Sequence, residues 1–189
     1  MRIALLGVAS SLHGEEYYIP LYSKLIEGLS NTVNLKIYDK PFTDRIEIED
    51  YRVYDAFIIV FLTGGTSRAV YDFITKRLKP VVLMASGEHN ALASALSVKS
   101  RLMQEGVKHL LLTYSGVDDF KHKINLINRA LDIAGKLDNL RILEINEEGV
   151  LSEDALNYVK SIGGVVEPMS FFEILDRAEN IEYDEALYI

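Results

Sequence analysis

The 189-residue chain has no cysteine and no tryptophan, only four prolines, and a single glutamine, Gln104. Without cysteine there is no disulfide framework, no thiolate zinc site and no cysteine nucleophile. A membrane-spanning run is also missing. The longest strongly apolar stretch, Tyr54 to Leu62, is interrupted by Asp55 and falls far short of the ~20 residues a bilayer requires. Basic residues are outnumbered, 20 against 28 acidic, for a net charge of −8. Contact with nucleic-acid phosphates or anionic membranes needs clustered Lys and Arg, so neither partner is expected. No charged segment followed by a signal-type apolar stretch opens the chain, and a cytoplasmic location is the expectation. What remains is ordinary globular composition, 49% apolar and 25% charged.

Short apolar runs alternate with segments of helical period. Arg2 to Val8 reads as a buried strand, because Ile3, Ala4, Leu5 and Leu6 are consecutive. Glu15 to Leu29 reads as an amphipathic helix with Tyr18, Leu21, Tyr22, Leu25 and Leu29 on one face. Val33 to Tyr38 alternates like an edge strand, and Pro41 to Arg52 reads as acidic loop with room for one helical turn. Strands are expected at 56–62, 81–85 and 109–113, with helices at 67–78, 91–105 and 117–137. Gly106 stands where a C-cap glycine belongs. Five apolar strands joined by helical crossovers predict an α/β fold, a doubly wound parallel sheet of flavodoxin-like strand order 2-1-3-4-5 in three layers, over 1–137.

Residues 138–189 repeat the pattern as a further βαβα unit with an acidic tail. Ser152 should cap one of its helices and a Ser170–Glu173 capping box the other, with Gly163-Gly164 between them. A two-stranded parallel sheet cannot cover both its own faces. The unit should therefore extend the first sheet or pack on another chain, which predicts a homo-oligomer or a partner subunit.

In open parallel sheets ligands bind beyond the carboxyl ends of the strands, where strand order reverses. That rule selects Ser10, Ser11, His13 and Glu15 after strand 1, and Thr63, Gly64, Gly65 and Thr66 after strand 3. Beside them lie Ser86, Gly87, Glu88, His89 and Asn90, then Tyr114 and Ser115. Small residues, hydroxyls and helix starts along one rim suit a polyol or a small anion. Plainer readings stand beside this one. Gly64-Gly65-Thr66 can serve only to turn the chain and cap the next helix. Asn90 can be an N-cap. His13 with Glu15, and Glu88 with His89, read as solvated loop residues before they read as acid–base pairs or metal ligands. Tyr17, Tyr18 and Tyr22 read as helix packing. No histidine pair has metal-ligand spacing on one helix, so no metal site is assigned.

Several nucleotide, phosphate and hydrolase sites lack their signatures. Gly7-Val8-Ala9-Ser10-Ser11-Leu12 is not the dinucleotide G-x-G-x-x-G, no G-K-[ST] P-loop exists, and no G-x-S-x-G elbow occurs. Ser10-Ser11-Leu12-His13-Gly14 is a poor flavin-phosphate loop. Receiver-domain acidic residues are missing after strands 1 and 3.

Three stretches carry a family likeness. They are Asp55 to Thr66 with its Gly-Gly-Thr turn, Pro80 to Leu92 ending in Asn90-Ala91-Leu92, and Gly163 to Glu167 with Phe172 to Arg177. On these the chain resembles the N-terminal portion of the L-fucose/L-arabinose isomerase-like proteins. The resemblance implies a carbohydrate ligand and, for a complete enzyme, aldose–ketose isomerisation through a cis-enediol. That reaction uses a carboxylate base and a manganese ion held by Glu, Asp and His. The ligands of that metal lie in later domains of the family, and no position here can be assigned to them. The expectation is a non-catalytic sugar-binding or scaffold module, perhaps one subunit of a split isomerase whose manganese a partner supplies. Two alternatives remain open: a small enzyme using His13, Glu15, Glu88 and His89, and a structural oligomeric protein without ligand.

Overall fold

A computed structural model describes residues 2–29, 34–137, 140–145 and 151–179. Two compact units divide the chain, Met1–Arg129 and Ala130–Ile189.

In the first unit, β1 (Ile3–Ala9) is buried along its whole length, as is β4 (Ala56–Phe61). Continuous apolar runs belong to parallel strands covered on both faces. Beside them run β2 (Leu35–Ile37), β5 (Val81–Ala85) and β6 (His109–Thr113). The hydrogen-bonded order is β2-β1-β4-β5-β6, all parallel, and the two-residue strand β3 (Phe42–Thr43) pairs with the end of β1. Leaving β3 aside, this is the expected order 2-1-3-4-5, and the fold is a flavodoxin-like doubly wound α/β sheet. Register places Leu5 opposite both Ile37 and Ile58, and Phe61 opposite Ala85.

One sheet face carries Leu6, Phe57, Ile59, Phe61 and Leu83 into a core closed by α2 (Ser67–Thr75) and α3 (Ala91–Gln104). Phe57 and Phe73 meet edge to face at 5.0 Å. Alternate residues point the other way, toward the face where α1 (Glu15–Ile26) packs. There Tyr22 lies directly over Gly7, since a Cβ at Gly7 would come within 2.6 Å of its ring. Only glycine leaves room for it. The Tyr22 hydroxyl donates to the Tyr38 carbonyl at 2.7 Å, which ties α1 to the end of β2.

Several element ends differ from expectation, each for a local reason. The helix α1 stops at Ile26, because Glu27 leaves the helix and Gly28 is left-handed at φ +74°. The helix α2 stops at Thr75, and Leu78 after it is left-handed at φ 51°. The segment read as loop from Pro41 to Arg52 holds a helical turn as expected, the 3₁₀ turn Tyr51–Val53, but also the unexpected strand β3. Val33, at the start of the expected edge strand, and the acidic tail from Ile181 lie outside the described residues.

The helix α4 (Val117–Leu137) crosses from the first unit into the second. In the second unit β7 (Arg141–Ile145) pairs in parallel with β8 (Val165–Met169), as a two-stranded sheet of its own. Both expected caps form. The Ser152 hydroxyl accepts from the Ala155 N–H at 3.2 Å to open α5 (Glu153–Ser161). Ser170 and Glu173 exchange reciprocal bonds of 3.0 and 3.1 Å to open α6 (Phe171–Glu179).

Candidate functional site

The order of strands reverses between β1 and β4, and the loops leaving these two strands are bonded to each other. The Ser10 N–H donates to the Thr63 hydroxyl at 2.8 Å, and that hydroxyl donates to the Gly64 carbonyl at 3.1 Å. The Thr66 hydroxyl turns back to the Thr63 carbonyl at 3.3 Å. Thr66 thus stands at the start of α2 without capping it through its side chain, a correction to the capping role expected of it. Gly65 is left-handed at φ +81°, as the tight turn requires.

The loop after β5 closes against this turn. The Gly64 N–H donates to the His89 carbonyl at 2.7 Å. A Cβ on Gly64 would lie 2.8 Å from the Asn90 Cβ, so glycine permits the approach. His89 and Asn90 are both left-handed, at φ 48° and 58°. Two successive non-glycine residues in this region store strain of order 1–3 kcal/mol each, although His and Asn are among the residues that tolerate it best. Asn90 occupies the N-cap position of α3 but makes no side-chain cap bond. Its left-handed backbone replaces the extended geometry of an ordinary N-cap, which corrects the N-cap reading.

These contacts frame a cleft of about 370 Å³. Ser10, His13, Gly64, Gly65 and Asn90 line it, as expected. Leu12, Ser67, Ala93, Ser94 and Ser97 also line it and were not singled out from the sequence. Their signal was present in part, since Ser94 and Ser97 stand at i, i+3 on one face of α3. Leu12 is 90% exposed at the cleft. Among the described residues, tyrosines aside, the buried polar side chains are Ser10, Thr63, Thr66 and Ser94; Ser10 and Ser94 line this cleft, and Thr63 and Thr66 belong to the turn that carries Gly64 and Gly65. No carboxylate, lysine or arginine is part of its lining.

The rings of His13, which lines the cleft, and His89 stand edge to face at 6.4 Å, and Tyr17 packs on His89 at 4.0 Å with the rings tilted by 45°. Tyr17 is therefore a rim residue, whereas Tyr18 and Tyr22 are the buried packing residues of α1. Partial burial and the Glu88 carboxylate raise the Tyr17 phenol above its ordinary pKa.

Other expected residues lie elsewhere. Ser11 is exposed, and its N–H donates to Asp44 at 3.3 Å. Glu15 is exposed and acts on Tyr18, whose phenol is raised first by burial and then by this carboxylate. Ser86, Gly87, Glu88, Tyr114 and Ser115 line a separate cavity of about 130 Å³ with Leu21 and Leu25. The rim that reads as one site in the sequence is thus two, with the 86–90 loop contributing to each. Among the described residues no three of His, Asp and Glu converge as a metal-ligand group, and no helix is long and apolar enough to cross a membrane. Compared with models of protein families and with curated proteins, the chain matches none.

Proposed function

We propose that this protein binds a small, uncharged polyhydroxylated molecule, a sugar or polyol, in the cleft between the loops after β1, β4 and β5. One observation carries the reading: beside Leu12 and Ala93 the cleft is lined by hydroxyl, amide, imidazole and backbone groups, with no carboxylate, lysine or arginine among them. No lysine or arginine lines it to pair with an anion, and no carboxylate lines it to hold a metal. A polyol wants alternating donors and acceptors, which serine and asparagine supply. The volume of about 370 Å³ sits at the low end of the ~300–1,000 Å³ typical of small-molecule sites.

The same lining favours a binding role over catalysis by this chain alone. Aldose–ketose isomerisation needs a carboxylate base at the sugar, and Glu15 and Glu88 are not part of the cleft lining. The described residues do not fit a manganese site either. In the split-isomerase role that the family resemblance suggests, a partner subunit would bring both.

Thermal shift tests the reading directly. A ligand that binds only the folded state stabilises it by ~2.7 kcal/mol at 100 times its Kd. Pentoses, hexoses and their reduced polyols should include at least one that raises Tm by several degrees. Ser94→Ala and Ser97→Ala should cut that shift without changing the Tm of the free protein by more than a degree or two. A flat response across the panel removes the proposal, as does a response confined to phosphorylated sugars.

A further inference from the structure

The sheet of the first unit has two edges, and they are built differently. At one, β2 is only three residues long and carries an exposed lysine, Lys36, at its centre. Short strands and lysines are the usual guards against pairing with another chain. At the other edge, β6 is the five-residue run His-Leu-Leu-Leu-Thr, with no proline and no lysine. Among the described residues it pairs only with β5. The Val81 N–H donates to the Lys108 carbonyl and the Tyr114 N–H to the Ala85 carbonyl, both at 3.1 Å. Parallel register therefore turns the backbone groups of Leu110 and Leu112 toward β5, and those of His109, Leu111 and Thr113 toward the open edge. The Thr113 carbonyl is taken, since Lys123 Nζ donates to it at 2.6 Å. What stays open is the N–H and C=O of His109 and of Leu111. Between them Leu110 is 50% exposed.

That open row is complementary to itself. A two-fold axis through Leu110 sets His109 of one copy against Leu111 of the other, and the reverse, so each such pair can exchange both of its hydrogen bonds. Leu110 then falls on the axis in a non-hydrogen-bonded pair, the closer of the two antiparallel kinds. Its exposed side chain is covered by its own counterpart, an apolar cross-strand pair. An axis through Leu111 instead would call on the Thr113 carbonyl that Lys123 already occupies, so one register is selected. Charge agrees with it. Antiparallel strands bring the end that carries the exposed Lys108 toward the end of the other copy that leads to the exposed Asp118.

We propose that β6 is a homodimer interface, pairing antiparallel with β6 of a second copy about a two-fold axis at Leu110 and joining the two sheets into one. The proposal does not rest on the polyol reading. Pairing through one short strand buries less than the ~800 Å² per partner of a standard interface, so the dimer is weak and follows concentration. Sedimentation equilibrium of the full-length protein should show a reversible monomer–dimer equilibrium in the micromolar range. Leu110→Lys sets like charges directly opposite each other and should weaken the dimer about tenfold or more. Leu110→Cys reads the register without disrupting it, because the chain has no cysteine of its own. The Cα atoms of a non-hydrogen-bonded pair lie ~4.5 Å apart, within the ~4.4–6.8 Å that a disulfide spans. Mild oxidation should link this variant into a covalent dimer far faster than Leu96→Cys, a control on α3 with a similar exposure of 49%. A monomer at every concentration, a dimer untouched by Leu110→Lys, or equal rates of linking in the two cysteine variants would each overturn the assignment.

Discussion

At the scale of single residues, the cleft depends on places where a side chain had to be absent or a backbone had to be forced. Gly64 is the clearest of these. The atom nearest to an added Cβ is the Asn90 Cβ, which cannot rotate away, and the His89 carbonyl stands behind it at 3.3 Å. Gly64→Ala must therefore separate the two loops or distort the start of α3. A clash of this kind costs about 1–3 kcal/mol. The expected result is a lower denaturation midpoint together with loss of any polyol-induced rise in Tm. Gly87→Ala is the control in the same loop, because nothing lies within 4 Å of its added carbon, and its stability should be unchanged. Equal behaviour of the two variants would show that the loops are not held in contact. The sequence marks Gly64 as a turn residue, but it cannot say that the constraint comes from Asn90, a residue 26 positions on.

At the scale of elements, the features that were legible are those decided within a few residues. The Ser170–Glu173 box, the Ser152 cap and the left-handed Gly106 at φ +67° are all local in origin. They fall where the sequence puts them. Helix ends decided by chain reversal were less legible, as at Glu27 and Thr75, since apolar periodicity continued past them. The strand β3 was not legible at all. Its two residues, Phe42 and Thr43, form a strand only because the end of β1 offers them unpaired backbone groups. Local origin also makes the second unit's caps testable. Ser170→Ala removes the acceptor for the Glu173 N–H, and Glu173→Gln keeps a side-chain oxygen to accept from the Ser170 N–H while removing its charge. Loss of an N-cap costs ~1 kcal/mol, a large share of what a small α/β unit can spare. Amide exchange in α6 should accelerate about fivefold in Ser170→Ala and by less in Glu173→Gln. An unaltered exchange rate in both would mean that α6 is held by packing alone.

At the scale of the whole molecule, the doubly wound sheet was readable because five apolar strand runs and their helical crossovers admit few topologies. The split of its rim into two cavities was not, because it depends on how the 86–90 loop turns in space. The distribution of buried phenols has a consequence at the same scale. Tyr22 and Tyr114 are buried and Tyr38 is half-buried, and all three belong to the first unit. Burial is the main cause raising each of them, Tyr114 to about 12 and the other two higher still. A phenol is charged when it loses its proton, so a raised pKa means that the folded state holds protons the unfolded chain has released. The stability it contributes is complete below pH 10, the ordinary tyrosine value, and is lost as pH climbs through the folded value. For Tyr114 the loss reaches about 2–3 kcal/mol by pH 12, at ~1.4 kcal/mol for each pH unit of displacement. In the second unit Tyr158 is 67% exposed. Between pH 10 and 12 the urea midpoint of the first unit should therefore fall steeply, and Tyr114→Phe should remove part of that slope while leaving the midpoint at pH 8 equal or higher. Tyrosinate absorbance should rise in two stages, exposed phenols first and buried ones together with unfolding. A single smooth titration near pH 10, with no change in the urea midpoint, would mean that water reaches these phenols in the folded protein.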